Sequence, residues 1–407
     1  EVALEKETAK GRRVIAIACR PIEAGDVDRP FRELERDLVF VGLISFEDPP
    51  RLGVMDTVAA AKRAGVRTIM VTGDHPKTAA FIASEVGISS DAMLTGHQLD
   101  DISENDLQKI VKSTSVFART SPEHKFRIVK ALQQNGEVVA VTGDGVNDTL
   151  ALKEADIGIA MGVRGTDAAK EAADIVVADD NFVTIGSGLF EGRIFFDNLR
   201  KGVRYYLSVK AALVLVFLLP ILIGIPFFFA PIQIIVLELF MDLAASSAFV
   251  AEPAEKTIYA RPPRRAKEKF LDNRMVKGIL LSGFSLFVAV SAAYFYASYL
   301  GLSQAVAQSY AFCAWIVGHI ILAFTSRSDS DPLYFLGFLS NRVMNYWAIV
   351  VVSFLALAYG VPVITGHLKL SPISLGEMVS VSVIALLILS WQEALKVFNS
   401  YRRSNKL

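Results

Sequence analysis

Apolar and polar positions follow two rhythms along this chain, and the change comes at about residue 204. Before it, short apolar strings end in turn residues and give way to amphipathic stretches. Residues 66–74 read as a buried strand ending in Thr72-Gly73-Asp74, with a helix over 76–87 after it. Residues 137–144 repeat the pattern, ending in Thr142-Gly143-Asp144, then Asn147, Asp148 and a helix through Lys153. Between them Ser121-Pro122-Glu123 opens a helix with an N-cap serine and a proline in its first turn. Such repeats predict a doubly wound parallel sheet, whose chemistry gathers at the carboxyl ends of its strands.

After residue 204 the rhythm becomes one of long apolar runs. Six stretches, 203–224, 231–250, 276–300, 305–325, 346–365 and 375–397, reach the roughly 20 residues a helix needs to cross a bilayer core. The fold class expected is therefore α/β plus an all-α membrane part of six transmembrane helices. The connections after runs one, three and five carry only His367 and Lys369 as basic residues. The others hold a cluster from Arg261 to Lys277, then Arg327 and Arg342, then Lys396, Arg402, Arg403 and Lys406. The positive-inside rule then puts the soluble half and the C-terminus in the cytosol.

Composition changes this picture little. The formal net charge is zero, so nothing points to a nucleic-acid partner, and Cys19 and Cys313 are too few for a disulfide framework. The chain opens on charged residues, carries no signal-peptide pattern and lacks an initiator Met, which suggests a fragment.

Charged groups inside apolar runs are costly and hence functional candidates. Glu238 and Asp242 lie four apart in the second run and share one helix face. They could bind a cation, share a proton, or be neutralised as a structural pair. His319 lies in the middle of the fourth run, either as a site residue or as a hydrogen-bonded packing histidine. Lys210, near the start of the first run, could snorkel to the interface or pair with Asp242. Gln392 and Glu393 fall near the end of the last run. In the soluble half, Asp144 and Asp148 with Asn147 form an oxygen-only set that suits magnesium. Thr72-Gly73-Asp74 alone could be a simple turn, and Lys125 alone a solvated surface lysine.

Taken together, these motifs resemble the P-type cation-transporting ATPases of the haloacid-dehalogenase superfamily, in their calcium- and proton-pump-like branch. Asp48-Pro49-Pro50-Arg51 resembles the strand returning from a nucleotide-binding domain, Thr72-Gly73-Asp74 the second phosphorylation-domain motif, and Thr142 to Asp148 the magnesium motif. Phe117-Ala118-Arg119 with Ser121 to Lys125 resembles the segment whose lysine contacts the phosphoryl group. Asp174 to Phe182 resembles the run into the membrane stalk. The resemblance implies a remnant of a nucleotide-binding domain over 1–47, a phosphorylation domain over 48–190 and a stalk with six spans over 191–407. It implies catalytic roles for Thr72, Gly73, Asp74, Lys125, Asn147 and Asp148, and nucleotide contacts for Asp74 and Arg119. Asp144 and Asp148 would hold Mg2+, and Glu238, Asp242, Lys210 and His319 would serve ion transport. ATP, the transported cation and a lipid membrane, the plasma membrane above all, are the expected partners.

Asp-Lys-Thr-Gly-Thr, whose aspartate is phosphorylated in this family, occurs nowhere in the chain, nor does Thr-Gly-Glu-Ser of the actuator domain. By family analogy that aspartate caps the middle strand of this sheet, so an open sheet edge and dependence on an N-terminal half follow. A fragment, a split gene or a degraded copy would each fit, and the chain by itself is expected not to turn over ATP. Asp148-Thr149-Leu150 also departs from the family's Asp-Ala-Pro.

For the ion, Ala211, Val214 and Met241 offer no ligands where calcium pumps have them, and a lysine opposes a dication. This reading favours a proton or monovalent cation, with calcium as the alternative; no Cys-Pro-Cys supports a soft metal. Two other classes compete: a membrane-anchored hydrolase of small phosphate esters, and a non-catalytic subunit derived from a pump.

Overall fold

The computed structural model describes residues 2–8, 10–22, 30, 34–47, 49–238, 243–259, 261–264 and 268–404. Asp48, Met241, Asp242, Arg265, Lys267 and Lys406, all invoked above, lie outside these residues. The chain separates into two compact units, 1–190 with 259–267, and 191–258 with 268–407.

The first unit begins with a two-stranded antiparallel ribbon, β1 (Arg13–Cys19) and β2 (Val39–Phe46). Two three-stranded parallel sheets follow. One has the order β3-β5-β4, built from β3 (Met70–Val71), β4 (Met93–Thr95) and β5 (Val116–Ala118); the other has the order β6-β7-β8, from β6 (Ala140–Gly143), β7 (Ile157–Met161) and β8 (Ile175–Val177). The parallel α/β expectation holds, but as two half-sheets. The strands that carry the Thr-Gly-Asp turns, β3 and β6, are each an edge.

Alternation along β5 explains the packing. Val116 and Ala118 face a core with Val58, Ala79, Ala83, Val86 and Ile88, while Phe117 faces another with Leu99, Leu107, Ile128 and Leu132. The helix Pro122–Gln134 joins the half-sheets: Ile128 and Leu132 pack on the first, and Gln133 donates to the carbonyl of Glu154 beside the second. Its start is fixed by a capping box in which Ser121 and His124 exchange hydrogen bonds.

The second unit is helical around one apolar core. Among the described residues, four helices are long and apolar enough to cross a membrane: Phe182–Ile223 (which begins in the first unit), Asn273–Tyr299, Gln304–Thr325 and Arg342–Gly360. A fifth span requires joining Leu375–Leu389 to the following helix across a 41° bend. Six continuous helices are expected; the fifth run is instead split at Val361, between Arg342–Gly360 and Pro362–His367, and the sixth is bent after Leu389. In the second run the described residues are α-helical over Pro231–Val236, π-helical at Leu237 and Glu238, and α-helical again over Leu243–Ala248. Apolar composition sets where a segment partitions, but not the regularity of its helix, which is why such departures are invisible in the sequence. Close approach is visible in one glycine: a Cβ on Gly283 would meet the Ser208 carbonyl oxygen at 2.6 Å, so the helix Asn273–Tyr299 lies tight against the segment bearing Lys210.

Candidate functional site

Two polar sites emerge, one in each unit. In the first, the turn after β3 is closed by its own side chains. Thr72 donates its hydroxyl to the Asp74 carboxylate at 3.0 Å and accepts from the Asp74 amide at 3.1 Å. The next segment closes on the same turn, since the Thr120 hydroxyl donates to the Thr72 carbonyl and the Arg119 amide to that of Asp74. Arg119 holds φ at +54°, a left-handed conformation uncommon outside glycine, and its side chain is exposed.

After β6 the arrangement is tighter. The Lys125 ammonium donates to Oδ1 of Asp148 at 2.5 Å, and Oδ2 of Asp148 accepts from the amides of Asp144 and Gly145 at 3.3 and 3.2 Å. Lys125, on the helix that serves the first half-sheet, thus reaches the loop of the second. Asp148 is buried and committed to shaping that loop, whereas Asp144 and Asn147 are exposed at the strand end. A Cβ on Gly143 would collide with the Asp148 side chain, so this glycine is what allows the carboxylate to fold back. No group of three or more His, Cys, Asp and Glu is placed to hold a metal among the described residues. A hard cation at Asp144 would therefore complete its shell with water and phosphate oxygens, as magnesium ordinarily does. The donor chemistry fits.

Two residues the sequence reading passed over also shape this region. His124 is buried and ties Asp100 to the loop, its Nε2 2.7 Å from Oδ1. Asp180 accepts from the amides of Val163 and Arg164, and these bonds hold its carboxyl below the ordinary aspartate value of 3.8. Only the run of acidic residues before Phe182 signalled it.

In the second unit, Lys210 donates to Oε1 of Glu238 at 2.6 Å and sits over the Tyr206 ring, 5.1 Å from its centroid. Glu238 is thus one partner of Lys210, whereas the expected partner Asp242 lies outside the described residues. His319 lies in the apolar core between the Tyr205 and Trp315 rings, with Nδ1 3.0 Å from the Tyr205 hydroxyl. Val214 is exposed. Gln392 accepts from Ser282, and Glu393 accepts from the Leu333 amide and Lys396.

Residues 20–156 match the family model of haloacid dehalogenase-like hydrolases, and residues 226–398 match that of the C-terminus of cation transporting ATPases. The chain belongs to the P-type cation-transporting ATPases. It is 38% identical over 334 residues to a calcium-transporting ATPase of Bacillus subtilis, 81% of this chain and 37% of that protein. It is 36% identical over 357 residues to calcium-transporting ATPase 1 of Lactococcus lactis, 87% of this chain and 40% of the relative. Human calcium-transporting ATPase type 2C member 1 is 36% identical over 338 residues, 83% of this chain and 36% of the relative. This P-type ATPase chain spans about two fifths of the length of these relatives. Its apolar helices and its relatives together make it an integral membrane protein.

Proposed function

We propose that this chain is the carboxy-terminal part of a calcium-transporting pump, energised by phosphoryl transfer from ATP to an aspartate supplied from outside these 407 residues. The observation carrying this reading is the set of relatives at 36–38% identity, all named as calcium-transporting. It replaces the preference for a proton or monovalent cation drawn from Lys210.

In the phosphorylation unit, Lys125 and Thr72 would face the transferred group from opposite edges, Lys125 as a charge and Thr72 as a hydroxyl donor. Asp144, with waters and phosphate oxygens, would hold Mg2+, whose charge neutralises phosphate oxygens when it is bound. Asp148 would orient Lys125 and the loop amides rather than spend its oxygens on the metal. Asp74 and Arg119, held against each other through backbone bonds, would border the nucleotide. In the membrane unit, Glu238 at the π-helical turn, with Asp242, would bind the ion, and the long helix Phe182–Ile223 would carry the response to phosphorylation. The positively charged connections argue for a cytosolic first unit and C-terminus.

The test is to co-express the chain with a segment carrying Asp-Lys-Thr-Gly-Thr and titrate membrane ATPase activity with calcium, sodium, potassium and protons. Stimulation by micromolar calcium, lost in Glu238→Gln, is expected. Stimulation by acid or a monovalent ion alone rejects calcium.

A further inference from the structure

A chain of hydrogen bonds runs along the carboxyl ends of the second half-sheet, and none of the roles above uses it. The parallel order β6-β7-β8 puts Asp144, the loop 162–166 and Asp180 after successive strands, on one side of the sheet. Asp180 is 7% exposed. Its Oδ1 accepts from the Val163 amide at 2.9 Å and its Oδ2 from the Arg164 amide at 2.8 Å. Bonds to an ionised carboxylate are stronger than those to a neutral acceptor. The Gly162 amide donates to the Val177 carbonyl at 2.8 Å, so three consecutive amides fix this loop to the segment at and after the end of β8.

The loop in turn holds the turn after β6. The Thr166 amide donates to the Asp144 carbonyl at 2.9 Å. The Asp144 amide donates to Oδ2 of Asp148 at 3.3 Å, so the main chain of Asp144 is held on both sides. A Cβ at Gly165 would collide with the Met161 carbonyl oxygen, and glycine there is what lets the loop fold back far enough for Thr166 to reach Asp144. At the far end of the chain of bonds, Asp180 stands two residues before the 42-residue helix Phe182–Ile223. Its carbonyl accepts from Arg51, and its neighbour Asp179 accepts from the Asn181 amide and the Thr184 hydroxyl.

We propose that Asp180 is a positioning residue for Asp144: it seats the loop 162–166, and the loop, through the Thr166 amide, fixes the backbone that presents the Asp144 carboxylate. Asp180 thus acts at one remove, as outer-shell groups do around metal ligands. Because Asp180 also leads into the long helix, a displacement at the start of that helix reaches the Asp144 turn through two sets of hydrogen bonds. Arg51 steadies the same point from the segment before the helix Val54–Arg63. The effect on magnesium affinity rests on the role given to Asp144 above, and the tie itself rests on geometry alone.

The experiment takes the full chain in lipid nanodiscs, as wild type, Asp180→Gly, Asp180→Asn, Thr166→Pro and Thr166→Ala. Glycine accepts the φ of +53° at 180 but offers no acceptor, and asparagine keeps one. Proline suits the φ of −67° at 166 and lacks the N–H. Both Thr166 variants lose the hydroxyl that accepts from the Ala169 amide, so Thr166→Ala controls for that loss. Hydrogen exchange at the Asp144 and Gly145 amides is read without metal, then during a magnesium titration. Exchange should be faster by about tenfold in Asp180→Gly and Thr166→Pro, less so in Asp180→Asn, and unchanged in Thr166→Ala. The magnesium concentration that half-protects the loop should rise by about 10- to 100-fold in the first two. Unchanged exchange in Asp180→Gly, or equal acceleration in both Thr166 variants, overturns the tie. Faster exchange with the same magnesium midpoint overturns the positioning of Asp144 for the metal. A wild type indifferent to magnesium, whose variants still exchange faster, refutes the magnesium reading and leaves the tie standing. Should Asp180→Gly fail to fold, Asp180→Asn and the Thr166 pair decide the same point.

Discussion

Lys125 and Asp148 form a 2.5 Å ion pair that links a helix packed on one half-sheet to the loop ending the first strand of the other. Lys125→Met leaves a buried carboxylate facing two amides without its cation. It should destabilise the Asp144–Asp148 loop by about 2 kcal/mol, in the range for an uncompensated buried polar partner that keeps some water access. The check is hydrogen exchange at the Asp144 and Gly145 amides, which should accelerate in Lys125→Met and less in Lys125→Arg. Unaltered exchange would mean that the pair does not shape the loop.

Asp180 gives a pH dependence with a definite sign. Its folded-state carboxyl lies below the ordinary value of 3.8 because the Val163 amide, then that of Arg164, donates to it. A depressed acid contributes stability that is fully present above its unfolded value, about pH 4, and lost as pH falls through the lower folded value. Protection of the Val163 and Arg164 amides should therefore fall on acidification below about pH 4. Asp180→Asn should flatten that dependence, and persistence of the wild-type profile in the variant would assign it to another group. Because Asp180 itself holds φ at +53°, Asp180→Ala should be the worse substitution, losing the acceptor and straining the backbone.

On the proposed reading, Lys210 competes with the transported cation for Oε1 of Glu238. Lys210→Met should raise calcium affinity by about tenfold, equivalent to about 1.4 kcal/mol. A calcium titration of wild type and variant measures it. A fall in affinity would mean that Lys210 organises the site instead of occupying it.

Gly96 packs against the backbone of Arg119, and a Cβ there would collide with the Arg119 carbonyl oxygen. Gly96→Ala should displace the Arg119–Thr120 segment from the turn at Thr72 and Asp74. ATP protection of the chain against proteolysis, assayed with the complementing segment, should then weaken without loss of the membrane helices. Full protection would place the nucleotide away from Arg119.

Much of this was legible in the sequence where short-range chemistry decides the outcome. The turns at Thr72–Asp74 and Thr142–Asp148 end parallel strands, and Ser121-Pro122 starts a helix, because caps and turns are set within four or five residues. The strands are shorter than the apolar strings implied: β3 holds only Met70 and Val71 of the residues expected from 66 onward, since an edge pairs on one side alone. The partner of Lys125 was not legible, because contact across 23 residues depends on how the helix Pro122–Gln134 spans both half-sheets. Nor was the buried ion pair between Glu252 and Arg327. Both residues sit at the ends of apolar runs, where a charge ordinarily means only that the run has reached water. Their burial comes from loops folding over them, and the only local hint was an arginine set among Ser326 and Ser328 in a sequence otherwise apolar up to Thr325.

The division of the parallel sheet also bears on the order of folding. Each half-sheet is assembled from one continuous stretch, 70–118 for the first and 140–177 for the second, and no strand of one pairs with a strand of the other among the described residues. Their contacts are therefore local, and local contacts close quickly. During synthesis the first half can be complete before the second has left the ribosome, with Lys125 already poised on its helix when Asp148 arrives. On the proposed reading, the step left to last is the meeting of β3 and β6, the two edges that carry the Thr-Gly-Asp turns, around the strand that bears the phosphorylated aspartate.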